Sequence, residues 1–133
     1  MSSTVLLYSD DPQVRERMRL AIGTRPARDL EVRFVETSSF DETVRVVDDT
    51  DVDLLVLDGE AAPAGGLGIA RQLKDEIDDC PPAIVVIARA ADRWLAAYAR
   101  VDATLMHPLD PVTTAQTVAA LLRQRAAGEP VNR

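Results

Sequence analysis

Short β-rich runs alternate with stretches of helical spacing along this chain, and that alternation restricts the fold more than any other feature of the sequence. The runs cover residues 4–8, 31–35, 53–57, 83–87 and 103–106. Between and after them, apolar residues recur three to four positions apart: Val14, Met18, Ala21 and Ile22; Phe40, Val44 and Val47; Ala70, Leu73 and Ile77; Trp94, Tyr98 and Val101; Val112, Ala115, Ala119 and Leu122. Five strands and five helices in strict alternation imply an α/β fold: a doubly wound, three-layer sandwich whose five-stranded parallel sheet carries helices on both faces. The runs "DLLVLD" and "AIVVIA" lack any polar alternation and read as doubly buried central strands. Asp11-Pro12 is a helix start, with Asp as N-cap and Pro at the first helical position. Pro81-Pro82 is expected to stop the third helix.

Composition narrows the partners. The chain has 133 residues, 47% apolar and 28% charged, which suits one domain, expected over 1–126 with a disordered tail over 127–133. No segment approaches the roughly 18 uninterrupted apolar residues of a membrane span, and "MSSTVLLYSDD" has no basic leader, so a cytoplasmic location is expected. Cys80 is the sole cysteine, which excludes a disulfide framework and a cysteine-rich metal site. A net charge of −7 argues against direct nucleic-acid binding, which depends on neutralising phosphates. Other proteins are the favoured partners.

Two of the apolar runs lead into acids, Asp10 and Asp11 after the first and Asp58 at the end of the third. Ligands of open parallel sheets collect at the carboxyl ends of the strands. If strands one and three are neighbours, Asp10 and Asp58 converge, and clustered carboxylates are costly without a cation or proton. Oxygen-only ligands suit Mg²⁺. An isolated carboxylate there could also attack a phosphoryl group. Asp58-Gly59 also reads simply as a strand-end turn, and Asp10 as a solvated or capping residue.

"VLLYSDDPQVRERMR", "DLLVLDGEAAPAGGLGIARQLK" and "LMHPLDP", in that order and spacing, resemble the receiver domain of two-component response regulators in its stand-alone form. The resemblance covers residues 5 to about 125 and implies a flavodoxin-like fold with strand order 2-1-3-4-5. It implies that Asp58 is the phosphoacceptor and that Asp10 is the second member of an acidic, Mg²⁺-binding pair. It also implies a protein partner surface, or a weak homodimer interface, built from the fourth helix, fifth strand and fifth helix. Trp94 and Tyr98 fall on that fourth helix, where core packing is the alternative reading.

Against the family's pattern this sequence departs at three places. Ser9 stands where the first acid of the pair is expected, and Asp11, as a helix cap, does not replace it. Ala88, or Ile87 in a register one residue earlier, stands where a hydroxyl residue donates to the phosphoryl oxygen. His107 stands in place of the lysine before Pro108, whose peptide bond the resemblance implies is cis; the chain's one lysine, Lys74, belongs by its spacing to the third helix. An imidazole is shorter than a lysine and carries no permanent charge. The family's aromatic switch position on the fifth strand falls on Thr104. Any Mg²⁺ site formed by Asp10 and Asp58 is therefore expected to be weak.

The expected function is that of an atypical single-domain response regulator, not an enzyme, acting by protein–protein interaction with weak or absent aspartyl phosphorylation at Asp58. The alternative is a working phosphoacceptor in a phosphorelay, or a phosphate sink, for a histidine kinase. Asp58-Gly59-Glu60 lacks the Asp-x-Asp of an aspartate-nucleophile phosphohydrolase. "SDDPQV" is too acidic for an FMN phosphate loop, and Gly65–Gly68 has neither dinucleotide nor P-loop spacing, so no FMN and no nucleotide are expected. Arg15, Arg17 and Arg19 are expected to be solvated, turned toward different sides of the first helix.

Overall fold

The computed structural model describes residues 2–61, 65–77, 79–89 and 101–128. Strands β1 (Ser2–Tyr8), β2 (Glu31–Thr37), β3 (Leu54–Asp58), β4 (Ala83–Ile87) and β5 (Ala103–Met106) form one sheet in the order β2-β1-β3-β4-β5. Every neighbouring pair is parallel. The described helices are α1 (Pro12–Ile22), α2 (Phe40–Asp49), α3 (Gly66–Glu76) and α4 (Pro111–Ala126).

Alternating side chains divide the core into two layers, because successive strand residues point to opposite faces. Leu6, Tyr8, Leu55, Leu57, Val85 and Ile87 pack with Ile69, Ala70 and Leu73 of α3 and with Phe40, Val44 and Val47 of α2. Val5, Leu7, Leu54, Val56, Ile84 and Val86 pack on the other side with Met18 and Ile22 of α1 and Val118, Leu121 and Leu122 of α4. All five residues of β3 and of β4 are buried, as expected of central strands covered on both faces.

Local chemistry sets the helix starts. Asp11 Oδ1 accepts from the Gln13 amide at 2.9 Å, with Pro12 in the first turn, and Asp110 repeats the device ahead of Pro111 by accepting from Thr113 N at 2.8 Å. Ser39 caps α2 by accepting from Glu42 N at 3.2 Å, while Glu42 Oε1 accepts from Ser38 N at 2.7 Å.

Some boundaries differ from expectation. β1 begins at Ser2 and β2 continues to Thr37, because pairing along the whole of both strands, Ser2 with Glu31 through Tyr8 with Thr37, overrides their mixed polarity. β3 runs one residue later than its apolar run and takes in Asp58. Helix α3 ends at Glu76, with Ile77 as its C-cap, so Pro81-Pro82 lies beyond the stop and does not cause it. Val101 lies outside any helix, just ahead of β5, and packs in the first core layer. The fourth-helix assignments, Trp94 and Tyr98, lie outside the described residues, as do the tail residues 129–133; helix α4 itself extends to Ala126.

Candidate functional site

The register of β1 against β3 decides which side chain meets Asp58. Tyr8 pairs with Leu57, so the next residue on β1, Ser9, comes level with Asp58. Ser9 is fully buried, and its hydroxyl donates to Asp58 Oδ2 at 2.8 Å while its oxygen accepts from the Asp11 amide at 3.1 Å. The carboxylate of Asp58 is itself buried. Its other oxygen, Oδ1, accepts from the Glu60 amide at 2.9 Å and lies 3.6 Å from His107 Nε2. That last separation is too long for a hydrogen bond but close enough for charge attraction when the imidazole is protonated.

Asp10, the acid expected to converge on Asp58, is exposed one residue beyond Ser9. Its charge is nonetheless felt at the strand ends: burial, then Asp10, then Asp58 hold the Tyr8 phenol above its ordinary pKa. Asp11 is exposed and its carboxylate is engaged by the helix amide, so it contributes to the cluster only through its own N–H on Ser9.

The turn beneath Asp58 is held tightly. Gly59 N donates to Val86 O at 2.8 Å, and a Cβ at Gly59 would meet that same carbonyl oxygen at 2.8 Å. At the far wall His107 N donates to Ile87 O at 3.0 Å, which carries the histidine across from β5 to the end of β4, and the His107–Pro108 bond is cis. Ala88 is exposed directly after β4, whereas Ile87 is buried in the core, so the solvent-facing end of that strand belongs to Ala88. Thr104 lies on β5, half-buried, paired with Val85.

A cavity of ≈ 330 Å³ opens over Asp58, lined also by Val14, Arg17, Glu60, His107 and Pro108. Sequence spacing gave no sign that Arg17 belongs there. Nor did it show that Arg15, a residue expected to be solvated, is largely covered: its guanidinium donates to the Ser9 carbonyl at 2.6 Å and to Glu36 at 2.9 Å. The sole lysine is on α3, where Lys74 Nζ donates to Asp102 Oδ2 at 2.8 Å with both side chains buried.

The receiver resemblance raises Mg²⁺ as a ligand, and Asp10 and Asp58 are the acids at the strand ends that would hold it. Both oxygens of Asp58 are met by protein donors, and the position beside it offers a neutral hydroxyl already used as donor and acceptor. Among the described residues, no group of three or more His, Cys, Asp or Glu side chains is arranged to hold a metal ion. No described helix is long and apolar enough to cross a membrane.

A scan against protein-family models finds no match. Among curated proteins, the chain is 46% identical over 123 residues to uncharacterized response regulatory proteins of Mycobacterium tuberculosis, from strains CDC 1551 / Oshkosh and ATCC 25618 / H37Rv; the match covers 92% of this chain and 92% of each relative. Among solved structures, the receiver domain of the Francisella response regulator 1452 superposes with a TM-score of 0.78 at 14% identity, covering 92% of this chain and 98% of that one. The receiver domain of the response regulator AraT from Geobacillus stearothermophilus superposes with a TM-score of 0.76 at 23% identity, covering 96% and 98%. A receiver domain protein of the CheY-like kind from Methanospirillum hungatei gives 0.74 at 14% identity, covering 96% and 99%. These structures share the fold, flavodoxin-like with strand order 2-1-3-4-5, and the curated relatives share the sequence: the chain belongs to the response regulators, as a receiver domain.

Proposed function

We propose that this receiver is an atypical one, signalling through contact with a protein partner, with phosphorylation at Asp58 weak or absent. One observation carries the reading: the carboxylate of Asp58 is buried and satisfied from within the protein, by the Ser9 hydroxyl and the Glu60 amide. Phosphoryl transfer relies on positioning and on neutralising charge at the transferring oxygens. Ser9 in place of an acid, Ala88 in place of a hydroxyl residue and His107 in place of a lysine each weaken one part of that arrangement, and Lys74 is committed to Asp102. Mg²⁺ would be held weakly, by Asp10 and Asp58. The protein is read as a non-enzyme without FMN or nucleotide, cytoplasmic, and monomeric or weakly dimeric through the face that includes β5. Its net charge of −7 supports protein partners, a histidine kinase among them, over nucleic acid.

The cavity over Asp58 favours a second reading, a working phosphoacceptor in a phosphorelay or a phosphate sink, since the carboxylate is not sealed off from an incoming group. Intact mass spectrometry after incubation with Mg²⁺ and acetyl phosphate, beside Asp58→Asn, separates the two. The atypical reading expects little or no adduct. A rapid, near-complete adduct confined to the native protein would replace it with the phosphoacceptor reading.

A further inference from the structure

Helix α1 carries three arginines at alternate positions, and their fates differ. Arg15 is tied to the Ser9 carbonyl and to Glu36, and Arg19 pairs with Glu16 on its own helix. Arg17 makes no ion pair or side-chain hydrogen bond with any described residue, and it lines the cavity over Asp58 together with His107. Among the described residues it is the only permanently charged cation in that lining, which also holds Val14, Asp58, Glu60, His107 and Pro108. The lysine that could have supplied such a charge is buried against Asp102 instead.

We propose that Arg17 is an oxyanion-binding residue: with His107 it makes the cavity over Asp58 a site for a tetrahedral phosphoryl or phosphate group, the fixed positive charge entering from α1. A guanidinium presents several N–H donors in a planar fork that matches phosphate oxygens, and its charge is permanent. Asp58 and Glu60 share the cavity and oppose a free anion. A phosphoryl group on Asp58 meets less opposition, because forming the acyl phosphate uses one of the carboxylate oxygens. In that step an oxygen of Asp58 forms the new bond to phosphorus, the donor's P–O bond breaks with its electron pair leaving on acetate, and no other reactant is required. The covalent source of the anion rests on Asp58 being phosphorylated at least slowly; binding of free phosphate does not.

The test uses the native protein, Arg17→Gln, Arg17→Lys and, as control, Arg19→Gln. His107 is the sole histidine, so its imidazole gives one unambiguous NMR signal, followed during titration with inorganic phosphate in EDTA at constant pH and matched ionic strength. In parallel, the rate of the acetyl phosphate adduct is followed by mass in Mg²⁺. Losing a charge-assisted contact should weaken phosphate binding, slow adduct formation, or do both, by about tenfold in Arg17→Gln, with partial recovery in Arg17→Lys and no change in Arg19→Gln. Arg17-dependent phosphate binding without any adduct would keep the oxyanion site and remove Asp58 as a phosphoacceptor. An adduct forming equally fast in Arg17→Gln, with phosphate binding absent or unchanged, would overturn the proposal and leave the phosphoacceptor reading standing. Neither adduct nor phosphate response in the native protein would overturn the proposal.

Discussion

At the end of β1, Ser9 does what a carboxylate could not do there without a cation: it brings a proton donor to a buried anion. Ser9→Ala removes the donor to Asp58 Oδ2 and the acceptor for Asp11 N together, and should lower unfolding free energy by about 1–3 kcal/mol in urea titrations. Ser9→Asp sets two carboxylates in contact, which is unfavourable unless a cation intervenes. That variant should melt below the native protein in EDTA and recover part of the loss in Mg²⁺, whereas the native melting temperature should move little between the two; equal Mg²⁺ responses would count against the lost-ligand argument. The strand-end place of Asp58 and the turn at Pro108 were legible in the sequence, since a strand-end acid and an X-Pro turn leave local signatures, while the cis bond was implied by the family resemblance. The bond from Ser9 was not legible, because it depends on the pairing of Tyr8 with Leu57, a register that separates residues 49 positions apart and leaves no mark in either segment.

A costly buried polar contact adds to the packing between elements. Lys74 on α3 and Asp102 just ahead of β5 form a buried pair, and Asp102 Oδ2 also accepts from Ala83 N at 2.7 Å, so a single carboxylate ties α3 to the starts of β4 and β5. Lys74→Met leaves that carboxylate buried without its countercharge and should cost about 3–5 kcal/mol, read from denaturant midpoints. Helix α4 offers the opposite case. Thr114 is buried and its hydroxyl has no hydrogen-bond partner among the described residues, so Thr114→Val, which keeps the branched shape, should raise stability by about 1 kcal/mol, a gain that calorimetry would register as a higher melting temperature. The elements were largely readable because β4 is apolar throughout, β3 is apolar up to its terminal Asp58, and α1 carries its Asp-Pro start. Their ends were read less well. A strand such as β2, at the sheet edge with the pattern "EVRFVET", continues as far as its neighbour pairs with it, and that length is a property of β1.

On the scale of the whole molecule, opposite shifts at the two ends of the pH range bracket the stability. Glu16, Asp29 and Asp110 are held below the ordinary carboxylate range, by hydrogen bonds from Arg19, Arg123 and Thr113 respectively. Groups with depressed folded pKa values favour the native state above the ordinary carboxylate range, and the benefit fades as pH falls through the depressed values. All three are at the surface, so the acid limb should be shallow and weaken further in salt. Tyr8 acts in the other direction. Burial, followed by the charges of Asp10 and Asp58, makes its phenol harder to ionise in the folded protein than in the unfolded chain. A raised folded pKa favours the native state below the unfolded value of about 10, and that benefit is lost as pH rises through the higher native value, so stability should fall on the alkaline side. In a Tyr98→Phe background, where Tyr8 is the one remaining tyrosine, tyrosinate absorbance should therefore rise only above the value of a free phenol. Asp10→Asn should bring that rise to lower pH, and more than Asp58→Asn does, because Asp10 is the larger of the two charge contributions. A Tyr8 titration unmoved by Asp10→Asn would mean that the exposed acid after β1 does not act on the strand ends, and burial with the charge of Asp58 would then account for the phenol.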